Sequence, residues 1–361
     1  MDYAAAGVDV AAGDRAVELM KTAVSATHGP EVLTAAGGFA GLFDASALLR
    51  MKRPALTTST DGVGTKIAIA RAVDVHHTIG QDLVAMVVDD LVVTGSRPLF
   101  MTDYIACGKV VPERIADIVR GIANACAATG TALVGGETAE HPGLMAPDEY
   151  DVAGAATGVV DVDDMLGPDR VQVGDTVVAL ASSGLHSNGY SLVRKAVDDA
   201  GWRLDRHVPE FGRTLGEELL EPTRLYTKVC LALADRVHAF AHVTGGGLAA
   251  NLARVLPAGT VAVVDRAAIA PPAVFQVMQR LTGAGWDSLE EALNLGVGMV
   301  AVTAQPQAVV EGATAQGIPA WVIGQVGTAV PAGASLVTGT KGVTGGSVAM
   351  VGTYAVGAGS L

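Results

Sequence analysis

Hydrophobic positions along the chain switch repeatedly between helical and strand-like spacing, and the switches mark out its elements. Asp14 is placed to cap a helix running through Val17, Leu19, Met20, Ala23 and Val24, which carries Lys21. From Thr27 to Gly41 the pattern is loop-like and glycine-rich, a composition compatible with a lid. Ala55 and Leu56 lead as a short strand into the polar run Thr57-Thr58-Ser59-Thr60-Asp61-Gly62-Val63-Gly64-Thr65-Lys66, and Ile67 to Ala72 continues as a helix. Gln81 to Gly95 is too uniformly apolar for a surface helix. It predicts a buried one, capped by Asp82, stopped at Gly95 and carrying Asp89 and Asp90. Pro98 to Cys107 predicts a strand. Pro112 opens an amphipathic helix with Ile115, Ile118, Val119, Ile122 and Cys126 on one face, ending at Gly130. A short strand, Ala132 to Val134, delivers Gly135 to Gly143 as a loop, and Val152 to Val160 is a further strand.

Around Asp161 to Gly174 the pattern loosens, which places a domain boundary there, with domains at 1–165 and 170–330. The second part begins with a strand, Thr176 to Ala181. The turn Ser182-Ser183-Gly184-Leu185-His186-Ser187-Asn188-Gly189 and a helix from Tyr190 follow. The block His242-Val243-Thr244-Gly245-Gly246-Gly247 repeats that plan, with a helix to Leu256. Strands at Val261–Val264, Val297–Val302 and Trp321–Val326 complete a second mixed sheet, and Gly296-Val297-Gly298-Met299 suggests close backbone contact. The tail 339–361, rich in Gly, Thr, Val and Ala, has no periodicity and is expected to be loosely attached. The expected fold class is α+β, with two α/β-type domains.

Composition narrows the partners. Twenty-four basic against 37 acidic residues give a net charge of −13, which disfavours nucleic acid and anionic membrane surfaces as partners. A phosphate ligand remains compatible, because a bound Mg²⁺ reverses the local field. Aromatics are only 4% of the chain, so its cores must be built from Ala, Val, Leu and Ile. Cys107, Cys126 and Cys230 are widely spaced and form no CxxC, which reads as buried thiols in a reducing compartment. With no signal peptide and no spanning apolar run, the expected location is the cytoplasm.

The polar run at Asp61 to Lys66 concentrates the candidate chemistry. A strand, a glycine turn and a helix form a natural phosphate or metal-phosphate site, with Asp61 for a cation and Lys66 for a phosphate; the competing reading is an ordinary polar loop. It is not a P-loop, since Gly62 and Gly64 are separated by one residue, nor a dinucleotide fingerprint, since Ile67 stands where the third Gly belongs. Of the adjacent acids Asp89 and Asp90, a solvent-facing position accounts for one more easily than for both. Glu137 and Glu140 offer hard oxygen ligands at a strand end. Lys21 on spacing alone reads as a solvated surface lysine, and His242 as either a substrate contact or a histidine satisfied within the fold. No G-x-S-x-G elbow and no H-E-x-x-H occurs.

Taken together, Asp61-Gly62-Val63-Gly64-Thr65-Lys66, Asp82 to Met86 with Asp90 to Val93, Gly135-Gly136-Glu137-Thr138-Ala139-Glu140, Gly184 with His186 to Ser191, and His242 with Thr244 to Gly247 follow in an order that resembles the phosphoribosylformylglycinamidine cyclo-ligase family. The likeness runs from about Tyr3 to about Val326 and leaves the tail outside. It implies ATP-dependent closure of an imidazole ring on formylglycinamidine ribonucleotide, in purine biosynthesis. It also implies Mg²⁺ on Asp61, Asp90 and Glu137, and phosphate donors from Gly62, Gly64, Thr65 and Lys66. Lys21 would close over the nucleotide, and His186 and His242 would bind the ribonucleotide or move a proton. The family implies a fold too: an N-terminal domain whose mixed sheet pairs across a homodimer, and a C-terminal three-layer α/β/α-like domain covering the site. Related small-molecule kinases and selenophosphate synthetase share the first domain's acids and are the alternative. A non-catalytic paralogue would be expected to lose Asp61, Lys66, Asp90 or Glu137.

Overall fold

The structure is a computed structural model that describes residues 9–33, 38–339 and 343–355. Its described residues fall into two compact units, one reaching to Val92 and resuming over Ser96–Asp164, the other made of Val93–Gly95 and the chain from Met165.

The first unit contains α1 (Val10–Ser25), β1 (Pro54–Gly62), α2 (Ile67–Val73), α3 (Thr78–Val92), β2 (Arg97–Cys107), α4 (Pro112–Thr129), β3 (Ala132–Glu140) and β4 (Tyr150–Asp161). Its sheet has the order β1-β4-β2-β3, with β2 and β3 parallel and the other pairs antiparallel. Helix α3 is buried along almost its whole length, which explains its uniformly apolar sequence. It meets α4 at glycines: a Cβ at Gly80 would stand 2.3 Å from the Ile122 nitrogen, and one at Gly121 1.9 Å from the His77 carbonyl oxygen. Only glycine permits that approach. Helix α4 has Pro112 in its first turn and ends on Gly130 in the left-handed conformation (φ 71°), as its sequence predicts.

Several boundaries differ from expectation. Helix α1 is capped by Asp9, whose carboxylate accepts from Ala12 N, rather than by Asp14. Helix α3 begins at Thr78, so Asp82 is an interior residue and not its cap. Strand β1 continues through the polar run to Gly62, because antiparallel register with β4 holds over every residue from Pro54 to Gly62. Strand β3 likewise extends to Glu140, held by parallel pairing with β2, so the expected 135–143 loop is mostly strand. Either side of 34–37 the chain is anchored: Leu133 N donates to Thr27 Oγ1 (3.0 Å), and Leu33 N donates to the Leu42 carbonyl (2.9 Å). Part of that expected lid, 34–37, lies outside the described residues.

The second unit contains β5 (Thr176–Ala181), α5 (Tyr190–Asp199), β6 (His207–Val208), β7 (Arg213–Thr214), α6 (Leu215–Leu219), α7 (Thr227–Leu233), β8 (Ala239–His242), α8 (Gly247–Ala253), β9 (Val261–Asp265), α9 (Ala273–Thr282), α10 (Trp286–Glu290), β10 (Val297–Thr303), α11 (Pro306–Ala315), β11 (Ala320–Gly327), β12 (Ser335–Thr338) and β13 (Ser347–Val351). Seven strands form one sheet in the order β12-β13-β9-β11-β5-β10-β8. Strand β10, buried at every residue, sits between β5 and β8. The tail corrects the expectation of loose attachment. Strand β13 pairs in parallel with β9, Val348 and Ala349 are fully buried, and Tyr354 is nearly so. Its alternating Val, Ala and Met supply the apolar face that a buried strand needs, despite the flanking glycines. Residues 340–342 and 356–361 of the tail lie outside the described residues. The mixed α/β architecture in two units agrees with the expected fold class.

Candidate functional site

In the first unit Asp61, Gly62, Gly64, Thr65 and Lys66 lie at the end of β1. Asp61 is exposed, and its carboxylate accepts from Gly62 N (2.7 Å). Beyond it Gly64 holds a left-handed backbone (φ 72°), which turns the chain into a single 3₁₀ turn at Gly64–Lys66 and then into α2. Gly64 and Thr65 stay exposed there. Lys66, expected as a phosphate donor, is engaged within the fold. It is fully buried, and its ammonium donates to Asp82 Oδ1 on α3 at 2.9 Å, with both side chains shielded from solvent. That ion pair ties the turn to α3.

Strand register places the three expected metal ligands. Asp61 pairs with Gly154, Gly154 with Asp103, and Asp103 with Gly136. A Cβ at Gly154 would touch Met101 and Leu83, so this row faces α3. Asp61 therefore lies on the α3 side, beside Leu83. Asp90 neighbours Leu91, which packs over Gly158, the next row but three along the sheet. Seven helical residues separate Leu83 from Asp90, about 10 Å along the axis. Asp89 is fully buried and Asp90 only partly, as the 100° step between helical neighbours requires. Glu137 follows Gly136 and pairs with Tyr104, so it faces away from α3 and is exposed. The three carboxylates are thus not gathered into one cage; among the described residues no three His, Cys, Asp or Glu side chains stand where they would hold a metal ion.

The neighbouring acid Glu140 is taken by structure. Its two oxygens accept from Asp9 N (2.7 Å) and Val110 N (2.6 Å), pinning the start of α1 to the sheet. Lys21 is exposed on α1. Sequence reasoning passed over Asp103, a partly buried carboxyl whose Oδ1 lies 1.9 Å from where a Cβ at Gly136 would sit. Burial pushes its pKa up to about 7. The strand Pro98–Cys107 was legible in sequence, but the face that Asp103 takes depends on bulges in β2 and β3.

In the second unit the two expected turns come together at one end of the sheet. The 182–189 turn leaves β5, and the 242–247 turn leaves β8. Both flank the start of β10: Val297 pairs with Ala181, and Met299 with His242. A Cβ at Gly245 would stand 3.6 Å from Asn188 Oδ1, so the turns are neighbours. His186 has a left-handed backbone (φ 62°) uncommon for a non-glycine residue and is 1% exposed. Ser183 N donates to its Nε2 (3.1 Å), so the neutral ring carries its proton on Nδ1. Gly298 makes room for it: a Cβ there would lie 2.4 Å from His186 Cε1. His242 is buried at the end of β8.

The residue that sequence reasoning missed is Asn294. Its amide donates to the Gly184 carbonyl (2.9 Å), and its Oδ1 accepts from Gly296 N (2.8 Å). Asn251 braces the other turn through the Gly247 carbonyl (2.8 Å). The glycines at Gly296 and Gly298 were the sequence signal for this packing.

Comparison with known proteins fits this arrangement. The family described as AIR synthase related protein, N-terminal domain, matches residues 43–160, and the C-terminal domain of the same family matches 172–331. Phosphoribosylformylglycinamidine cyclo-ligase of Anaeromyxobacter sp. (strain Fw109-5) is 49% identical over 331 residues, covering 90% of this chain and 96% of that protein. The protein of the same name from Geobacillus kaustophilus (strain HTA426) is 47% identical over 329 residues, covering 90% and 95%. Among solved structures, thiamine-monophosphate kinase from Stenotrophomonas maltophilia K279a superposes with a TM-score of 0.67 at 21% identity, covering 94% of this chain and 97% of that one. The hydrogenase maturation protein HypE in complex with ATP gives 0.61 at 17%, covering 93% of each chain. At those identities the two structures share the fold alone. By the family match across both units and by its identity to these relatives, the chain belongs to the AIR synthase related family.

Proposed function

We propose that this chain closes the imidazole ring of formylglycinamidine ribonucleotide, using ATP and releasing ADP and phosphate. The observation that carries the reading is 49% identity to a protein named phosphoribosylformylglycinamidine cyclo-ligase over nine-tenths of the chain. The residues fit the chemistry. A formyl amide oxygen is a poor leaving group. Transfer of the γ-phosphoryl group onto that oxygen makes it a good one, and the amidine nitrogen then attacks the same carbon. Phosphoryl transfer is mostly positioning and charge neutralisation.

Gly64 and Thr65, exposed at the turn, offer backbone and a hydroxyl to the phosphates, and exposed Asp61 offers a carboxylate beside them. Mg²⁺ takes one or two protein carboxylates and completes its shell with phosphates and water, so Asp61 would hold an ion without a preformed cage, and Asp90, further along α3, would serve a second ion on the phosphates. When bound, that ion would neutralise charge on the transferred phosphoryl group. Lys66 then serves by fixing the turn through Asp82, and Lys21, exposed on α1, is available to the nucleotide. Glu137 lies on the face of the sheet away from α3, where Tyr104 and Leu56 are also exposed (42% and 64%). That face suits a second copy of the chain, so we assign the homodimer contact and Glu137 to it. In the second unit His186 lies within the first glycine-rich turn and His242 ends the strand that leads into the second, and the two turns together make a surface suited to the ribonucleotide phosphate. No helix among the described residues is long and apolar enough to cross a membrane.

The test is incubation with ATP, Mg²⁺ and formylglycinamidine ribonucleotide, assayed for aminoimidazole ribonucleotide. ADP release without that product would instead support a kinase-like relative. Asp61→Ala is expected to fold normally and lose about a hundredfold or more in kcat; near-parental turnover removes Asp61 from the site.

A further inference from the structure

The tail forms part of the second unit, and its last described residues reach the segment that supports both glycine-rich turns. The Tyr354 hydroxyl donates to Glu290 Oε2 (2.6 Å). Arg266 grips the same carboxylate with two hydrogen bonds, Nε to Oε2 (2.8 Å) and Nη2 to Oε1 (2.6 Å). The Arg266 guanidinium lies 5.9 Å from the Tyr354 ring centroid, and Trp286 packs on that ring at 5.8 Å. Burial pushes the Tyr354 phenol far above its usual range, so it stays a donor at every working pH. Ala355 N donates to the Ile269 carbonyl (3.1 Å), fixing the tail beyond the ring.

Glu290 ends α10 directly beneath the second turn. A Cβ at Gly247 would stand 1.7 Å from the Glu290 carbonyl oxygen, so that carbonyl is the floor on which Gly247 rests. The following residues reach the first turn: Leu293 Cδ2 lies 2.4 Å from a Cβ position at Gly189, and Asn294 holds Gly184. One short segment, 290–296, therefore underlies both turns, and its N-terminal end is anchored by a carboxylate clamped between Arg266 and Tyr354. A small, mostly apolar cavity bounded by Leu248, Ala249, Leu293, Met350 and Tyr354 lies between turn and tail. Across it, the directional hydrogen bonds on the Glu290 carboxylate add to the packing that positions the turn.

We propose that Tyr354 is a positioning residue: acting through Glu290, it holds the Gly245–Gly247 turn in the shape that receives the ribonucleotide. The ligand in this statement rests on the function proposed above; the brace itself does not.

Hydrogen exchange on the full chain tests the brace without any substrate. Tyr354→Phe keeps the ring and removes one hydrogen bond. It is expected to speed exchange about tenfold at Thr244 to Leu248 and to leave Val177–Leu180 and Val300–Val302 unchanged. Unaltered exchange in the turn, or equal acceleration throughout the unit, overturns the proposal. Glu290→Gln, which keeps the shape but loses the charge held by Arg266, is expected to give the same local pattern. In kinetics, Tyr354→Phe is expected to raise KM for the ribonucleotide several-fold while KM for ATP holds within about twofold. A parallel rise in both, or in neither, counts against the assigned role. If the parent enzyme makes no aminoimidazole product, the functional reading falls while the exchange experiment still decides the brace.

Discussion

Two ionisable groups in the first unit are buried for reasons their local sequence does not show. Lys66 and Asp82 form a fully shielded ion pair between the 61–66 turn and α3. Removing one partner leaves an uncompensated buried charge, a loss of about 3–5 kcal/mol. Lys66→Met is therefore expected to lower stability in urea unfolding by that order, and Lys66→Met with Asp82→Leu to recover most of it. If Lys66→Met instead keeps its stability and loses only ATP affinity, the lysine belongs to the nucleotide. Asp103 gives a pH signature. Its folded-state pKa is raised to about 7 from an ordinary value of 3.8. Between those values the folded protein holds a proton that the unfolded chain has released, so this group's contribution falls as pH rises from about 4 to about 7. Asp103→Asn lacks that penalty. Its melting temperature is expected to exceed the parent's increasingly from pH 4.5 to pH 7.5; a gap that does not change with pH would refute the assignment.

At the scale of elements, periodicity read the long segments well and the polar strand ends badly. Helix α4 runs from Pro112 to its Gly130 cap because both punctuating residues act locally. Strands β1 and β3 run on through Asp61 and Glu140, although their sequences there look like turns. Neighbouring strands supply the hydrogen bonds that a polar, glycine-bearing segment cannot supply for itself. The same rule rescued the tail as β13, an added strand beside β9. The sheet of the first unit also makes an oligomer prediction. Along β2, Met101 and Ile105 are buried under the helices while Tyr104 is exposed on the other face. If that face meets a second copy, Tyr104→Glu should shift the protein from dimer to monomer in light scattering at micromolar concentration. A parent that already elutes as a monomer, or a variant that stays dimeric, excludes this face as the contact.

Over the whole molecule, the sequence by itself determined the mixed α/β class, the break in pattern after Asp161, and the list of chemistry-bearing residues. All of these depend on local spacing: apolar period, helix punctuation, and glycines beside hydroxyls and acids. The tertiary structure decided what each residue does within its unit. It paired Lys66 with Asp82, gave Glu140 to the start of α1, put Asp61 and Glu137 on opposite faces of one sheet and carried Asp90 on α3. It brought the 182–189 and 242–247 turns together over β10 and placed Asn294 to hold Gly184 of the first. Those outcomes rest on strand register and on contacts between residues apart in sequence, from 16 positions for Lys66 and Asp82 to 131 for Asp9 and Glu140. A side chain's face flips with a one-residue shift in register, and no local pattern encodes which partner strand fixes it.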